Sequence, residues 1–180
     1  MGGVRILEWL VPAVPVEAVD WEAVYREELP RVLNYFRYRG FERATAEDLT
    51  SATFEKAWRA RERYRKDRAA VSTWLLAIAR NVAIDHLRRP RREVPIEDDA
   101  LREEETPETA ALRAAEIRRL RALLGTLPER ERELVALKYG AGATNRTIAR
   151  ITGLGESNVG TILHRTIGGL RARWDEGGER

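Results

Sequence analysis

The sequence contains no cysteine and only two histidines, His86 and His164. Without cysteine the chain can form no disulfide framework, no thiolate zinc site and no cysteine nucleophile. Two histidines are too few for a convincing metal site, and there is no glycine-rich phosphate loop and no paired histidine with carboxylates. We therefore predict no catalytic residue, no metal and no cofactor.

The sequence also lacks an apolar run long enough to cross a membrane. The first nineteen residues are mildly hydrophobic, but Glu8, Pro12 and Pro15 interrupt them, and no small-residue cleavage site follows. We interpret residues 1–19 as an N-terminal extension rather than a signal peptide, and expect a cytoplasmic protein without membrane insertion.

Neither positive nor negative charge is in large excess, because the chain has 32 Lys and Arg and 29 Asp and Glu, for a net charge of +3. Its distribution is more informative, since residues 59–68 and 88–92 are basic whereas residues 93–108 are acidic. This alternation indicates basic binding surfaces separated by a solvated spacer.

The segment 71–92 has the apolar periodicity of an amphipathic helix. Ser72 stands at the expected N-cap, and Pro90 is expected to end the helix. The apolar stripe consists of Val71, Leu75, Ile78, Ala79 and Val82. The opposite face carries Arg80, Asn81, Asp85 and Arg88, which are residue types that bind base edges and phosphates. A core helix with a merely solvated polar face is the alternative.

Two further helices precede this one. Asp20 is the predicted cap of the first, Pro30 should kink or split it, and Gly40 should end it. Thr45 is the predicted start of the second, with Asp48 completing an approximate capping box. The predicted buried side of the second helix is Ala46, Leu49, Thr53, Phe54, Ala57 and Trp58.

Residues 91–106 are acidic and contain Pro95, which predicts a flexible linker. Thr106 and Pro107 then have the pattern of an N-cap followed by proline at the first helical position. The helix that they begin would bury Leu112, Ile117, Leu120 and Leu124. The segment 126–128 is expected to start another helix.

The segment Asn145–His164 fits a helix-turn-helix. Thr144 caps its first helix, Ala149 is small where the helices cross, Gly153 suits the tight turn, and Val159 is apolar where a small core must form. The second helix would project Ser157, Asn158, Thr161 and Arg165 into a major groove, and Arg146 and Arg150 on the first helix could add phosphate contacts. An ordinary helical hairpin is the alternative.

These patterns predict an all-α protein of two small helical domains joined by a flexible acidic linker, the C-terminal domain being a helix-turn-helix. The predicted boundaries are 1–19 for the extension, 20–90 for the first domain, 91–106 for the linker and 107–180 for the second domain.

The segments 46–60 and 72–89 resemble conserved region 2 of bacterial sigma factors of the extracytoplasmic-function (ECF) group, and 127–174 resembles region 4. The resemblance implies a sigma factor that binds core RNA polymerase and directs promoter-specific initiation. It implies contact of Asp48, Ser51 and Glu55 with the β′ clamp helices.

The resemblance also implies that each domain recognises a different promoter element. It implies recognition and melting of the −10 element by Trp74, Arg80, Asn81, Asp85 and Arg88. It implies recognition of the −35 element by Arg146, Ser157, Asn158, Thr161 and Arg165. The implied partners are core polymerase, through its β′ clamp helices and β flap, promoter DNA, and an anti-sigma factor.

Three other functions compete with this interpretation. A helix-turn-helix regulator would bind DNA without polymerase, and the face around Asp48 distinguishes it, since only a polymerase subunit needs that face. A helical interaction protein with solvated polar faces would lack salt-dependent DNA binding. For an enzyme, no supporting motif is present.

Overall fold

The computed structural model describes residues 19–88 and 107–176, with side chains from residue 114 onward in the second segment. These residues form seven α-helices and no strand, which confirms the all-α prediction. The helices are α1 (Trp21–Tyr38), α2 (Arg43–Ala60), α3 (Val71–Arg88), α4 (Pro107–Gly125), α5 (Glu129–Val135), α6 (Asn145–Thr152) and α7 (Glu156–Glu176). A 3-10 turn, Arg61–Arg63, follows α2, and a π-helical turn, Ala136–Gly140, continues α5.

Several predictions concern residues outside the described part of the chain. They are the N-terminal extension up to residue 18, the helix stop at Pro90, the linker 91–106, the N-cap at Thr106 and the burial of Leu112.

The ends of α1 agree with the sequence, whereas its interior differs. The Asp20 carboxylate accepts hydrogen bonds from the amides of Glu22 at 3.1 Å and Ala23 at 3.0 Å. Gly40, with φ of +89°, ends the helix. The expected split at Pro30 is wrong, because α1 continues through it. Pro30 is exposed, so water can bind the backbone carbonyl that its missing amide leaves without a partner.

The predicted N-caps Thr45 and Ser72 are wrong. Helix α2 begins two residues earlier, at Arg43, and an ion pair of 2.9 Å between Arg43 and Glu47 supports the added turn. Helix α3 begins at Val71, and the Trp74 amide donates to the Ala70 carbonyl at 3.1 Å. Both hydroxyl residues therefore lie inside the first helical turn, where serine and threonine are tolerated.

The start of α5 agrees with the prediction, because the helix begins at Glu129, directly after the segment 126–128, and its N-cap is Pro128. Thr126 closes the preceding turn by donating its hydroxyl to the Leu123 carbonyl at 2.7 Å, which is a local hydrogen bond with the end of α4.

The hydrophobic core is continuous across the described helices. Its largest fully buried side chains include Tyr35, Phe36, Leu76, Leu134, Leu137 and Ile148. Two residues predicted to be buried are wrong: Leu120 on α4 is 37 % exposed and Trp58 on α2 is 54 % exposed. The Arg61 guanidinium lies 4.1 Å from the centre of the Trp58 ring, and this cation–π contact covers one face of the indole without burying it.

We predict that Leu76→Ala lowers the free energy of unfolding by about 2–5 kcal/mol, because it leaves a cavity in a closely packed core. Leu87→Ala is the matched control on the same helix, since Leu87 is 46 % exposed whereas Leu76 is fully buried. Urea denaturation followed by circular dichroism measures both changes. Equal destabilisation by the two substitutions would contradict the described packing of α3.

Candidate nucleic-acid interface

Helix α3 separates an apolar face from a polar one. Leu75, Leu76 and Ala79 are buried, which orients the helix so that Asn81, Asp85 and Arg88 are exposed. Asn81 and Asp85 lie one helical turn apart and offer hydrogen-bond donors and acceptors to the same ligand. The helix therefore brings three of the predicted −10 residues together on one accessible surface.

The Asp85 carboxylate has a cationic neighbour from another helix. The Lys56 ammonium on α2 lies 3.4 Å from it, and both side chains are about half exposed. An exposed ion pair of this kind is weak, so it keeps Asp85 oriented without withdrawing it from a ligand. The sequence analysis does not include Lys56 in this surface, because periodicity does not reveal which helices are neighbours.

An aromatic cluster lies behind the start of α3. The Trp74 ring centre is 5.9 Å from that of Trp21 and 5.1 Å from that of Tyr64. The Tyr64 hydroxyl donates to the Ala69 carbonyl at 2.9 Å, and burial raises the pKa of this hydroxyl. Trp74 is half-buried in this cluster, so it supports the surface and remains partly accessible to solvent.

Arg80, the fifth predicted −10 residue, is placed differently from the others. Its Nε lies 3.0 Å from Oε1 of Glu133 and its Nη2 lies 3.5 Å from Oε2, so the guanidinium faces both oxygens of a carboxylate on α5. The Arg80 side chain is 27 % exposed and the Glu133 side chain 11 %. Arg80 thus contacts the second helical unit.

The outer face of α2 carries the predicted polymerase-contacting residues. Asp48, Ser51 and Glu55 are all exposed, at the spacing of one helix face. The Ser51 hydroxyl donates to the Glu47 carbonyl at 3.0 Å, and the Glu55 carboxylate pairs with Arg59. Because the Glu55 carboxylate already pairs with Arg59, Asp48 is the carboxylate of this set best placed for an external cation.

Helices α6 and α7 form the predicted helix-turn-helix. The Thr144 hydroxyl accepts a hydrogen bond from the Thr147 amide at 3.1 Å, which confirms the predicted cap. Gly153 ends α6 with φ of +77°, a conformation that residues with a Cβ rarely adopt. Ile148 and Val159 are fully buried between the helices.

The predicted groove-reading residues lie together on the exposed side of this motif. They are Ser157, Asn158, Thr161 and Arg165 on α7, with Arg146 on α6. Glu131 lies 3.5 Å from the Arg165 guanidinium, and Glu156 lies 3.4 Å from that of Arg146. Both arginines are highly exposed, so these weak pairs can exchange for phosphate contacts.

Residues 19–88 and 107–176 contain no cluster of His, Asp or Glu that could hold a metal ion. Among the helices of this described part, none is long and apolar enough to cross a membrane.

Two helical units, one with a polar helix face and one with a helix-turn-helix, define a class of DNA-binding protein. Residues 24–93 match the family model of sigma-70 region 2, and residues 117–167 match that of sigma-70 region 4. The chain is 30 % identical over 144 residues to the ECF RNA polymerase sigma factor RpoE of Cereibacter sphaeroides, covering 79 % of this chain and 77 % of the relative.

Two other proteins resemble the chain. The ECF sigma factor BldN of Streptomyces coelicolor is 29 % identical over 167 residues; the match covers 91 % of this chain but only 63 % of BldN. The structure of CnrH in complex with the cytosolic domain of CnrY has a TM-score of 0.67 and 22 % identity, covering 87 % of this chain and 88 % of CnrH. At that identity the match to CnrH shows the fold alone.

The chain belongs to the ECF sigma factors of the sigma-70 family, with regions 2 and 4. Its function is that of a non-catalytic subunit that directs RNA polymerase in promoter recognition. This confirms the prediction from the sequence and resolves the competing functions in favour of a sigma factor.

Proposed function

We propose that three exposed faces divide the work of initiation: α2 binds core RNA polymerase, α3 melts and holds the −10 element, and α7 docks on the −35 element. The observation that supports this most directly is the exposed set Asn81, Asp85 and Arg88 on α3, backed by the cluster around Trp74.

The α3 face suits an extruded base better than a closed duplex. Extruding a base from the stack costs a few kcal/mol of free energy, which hydrogen bonds and stacking with the protein must offset. The Asn81 amide and the Asp85 carboxylate supply hydrogen bonds, Arg88 supplies a phosphate contact, and Trp74 supplies an aromatic edge. Lys56, beside Asp85, adds a second cation for the backbone.

The α7 face suits intact duplex. Ser157, Asn158 and Thr161 lie in the first two turns of a helix-turn-helix recognition helix, which is the part that enters a major groove. Arg165 follows one turn later, and Arg146 on α6 is placed for a flanking phosphate. Gly160 lies on the side of α7 that approaches α6, since an added Cβ would lie 3.4 Å from the Asn145 side chain.

The domain boundaries belong to the same proposal. Residues 20–90 would act on the polymerase clamp and the −10 element, and residues 107–180 on the −35 element and the β flap. The acidic, proline-containing segment 91–106 would join them.

We further propose that an anti-sigma factor binds this chain in the cytoplasm. The sigma factor RpoE of Bartonella quintana, which shares the fold with a TM-score of 0.64 at 18 % identity, has been solved in complex with the anti-sigma factor NepR. An apolar cavity of about 250 Å³ opens between α1 and α2, and its rim carries Tyr25 and Trp58, which are each about half exposed. Exposed aromatic side chains around an apolar cavity are typical of a protein-binding surface.

The polymerase assignment is tested by Asp48→Arg, which replaces a carboxylate on the α2 face by a cation. We expect the Kd for core polymerase to rise about tenfold or more, because an opposing cation then meets a like charge. Glu27→Arg, an equal charge change on exposed α1, is the control and should leave the Kd unchanged. Fluorescence anisotropy with labelled protein measures both. Equal affinity of Asp48→Arg and the unmodified chain would refute the assignment.

The assignment of the −10 element to α3 and of the −35 element to α7 is tested by Asn81→Ala and Arg165→Ala. Arg165→Ala should weaken duplex binding by about 1–3 kcal/mol, roughly ten- to a hundredfold. Asn81→Ala should leave duplex binding nearly unchanged and reduce the permanganate reactivity of −10 thymines, because the extruded base loses its partner. Arg26→Ala, an exposed arginine of α1, is the control. Failure of both variants at the same step would contradict the division.

A further inference from the structure

The apolar cavity between α1 and α2 begins at the first residue of α1. Its walls are Trp21, Val24 and Tyr25 of α1 and Phe54, Ala57 and Trp58 of α2. Leu75 of α3 also lines it. The cavity volume of about 250 Å³ would hold about eight water molecules at roughly 30 Å³ each. Because water in it would meet mainly carbon atoms, an apolar side chain is the preferred occupant.

The rim of the cavity exposes aromatic surface that the described residues leave uncovered. Tyr25 and Trp58 are each about half exposed, although both belong to residue types that are usually well covered. The Tyr25 ring meets the Phe54 ring edge-on, with centroids 4.7 Å apart. Two exposed aromatic rings beside an apolar cavity indicate a surface that binds another apolar group.

The sequence offers an occupant in residues 4–11, which read VRILEWLV. Six of these eight residues are apolar, and the two charged ones are Arg5 and Glu8. The segment lies outside the described residues, which begin at residue 19. Exposing so many apolar side chains to water is unfavourable, so the segment gains stability wherever it finds an apolar surface.

The chain attaches this segment next to the cavity. Residue 19 is two positions before Trp21, and residues 12–18 join it to the apolar segment. A connection of seven residues can span roughly 24 Å, whereas the cavity walls Trp21 and Tyr25 are one helical turn, about 6 Å, apart. Pro12 and Pro15 in this connection oppose a continuous helix through it, which favours a chain that turns back over α1.

The tether favours this segment over a second copy of the chain as the occupant. A ligand held by a short linker has an effective concentration in the millimolar range, which exceeds the concentration of a protein in ordinary solution. A segment of the same chain therefore fills the cavity before another molecule can.

We propose that residues 4–11 dock in the cavity between α1 and α2 and cover Tyr25 and Trp58 in the free chain. An anti-sigma factor that used the same cavity would have to displace them. The inference does not rest on the proposed function, because docking is measured in the full chain without polymerase, DNA or anti-sigma factor.

Docking also bears on the aromatic cluster behind α3. Trp21 lines the cavity, and its ring centre lies 5.9 Å from those of both Tyr64 and Trp74. A side chain in the cavity would restrict Trp21 and, through it, the ring of Trp74.

The cavity side is tested by Tyr25→Lys, read by limited chymotrypsin digestion with the cleavage sites mapped by mass spectrometry. Leu7, Trp9 and Leu10 are chymotrypsin sites, and cleavage there reports the fraction of molecules in which the segment is undocked. We expect the initial cleavage rate within residues 4–11 to rise about tenfold, because a cation replaces an apolar wall. Leu87→Lys, the same kind of change at an exposed leucine of α3, is the control and should leave the rate unchanged.

The segment side is tested by Leu10→Asp, which leaves every described residue intact and serves if Tyr25→Lys misfolds. The chain has no cysteine, so Glu62→Cys gives one exposed site for a nitroxide, one helical turn after Trp58. The nitroxide should broaden the amide NMR signals of residues 4–11 in the labelled parent chain, and Leu10→Asp should restore them. Ala13→Asp adds the same carboxylate outside the segment and should keep them broadened.

Three results would overturn the proposal. They are equal cleavage rates in the parent chain, Tyr25→Lys and Leu87→Lys, sharp signals of residues 4–11 in the labelled parent chain, and protection from chymotrypsin that is lost on dilution. The last result would identify a second copy of the chain as the occupant, since docking within one molecule does not depend on concentration.

Discussion

The structure depends on the burial of one face of α3. Leu75, Leu76 and Ala79 pack into the core, and this fixes the rotation of the helix about its axis. Asn81 and Asp85 point outward as a consequence, and the exposed pair with Lys56 adds only a weak contact at Asp85. Because the helix is anchored by packing, its polar face is free to bind a ligand at little cost in stability.

The polar faces of the chain are held in position by weak, exchangeable contacts. Asp85 pairs with Lys56, Arg165 with Glu131 and Arg80 with Glu133, and only the last pair is largely shielded from water. Exposed pairs contribute little stability and give way to phosphates readily. Of these three pairs, the shielded Arg80–Glu133 pair is the one that joins the two units.

The structural features that could be predicted from the sequence are those that local chemistry determines. Apolar periodicity located the helices, and the caps at Asp20 and Thr144 and the turn glycine Gly153 were correct because each depends on a few neighbouring residues. The caps at Thr45 and Ser72 were wrong because a hydroxyl near a helix start also fits inside the first turn. Trp58 was misplaced because periodicity identifies a face without showing whether another helix covers it. The Arg80–Glu133 pair spans 53 residues, and no pattern in the sequence indicates it.

The central claim, that this chain directs core RNA polymerase to promoters, is tested most directly by mapping transcription start sites on genomic DNA. Core polymerase alone and core polymerase with the purified chain are compared on the same template. The account predicts a discrete set of new start sites that appear only with the chain and share sequence elements near −10 and −35. Identical start sites in both reactions, with the chain shown to bind the polymerase, would contradict it.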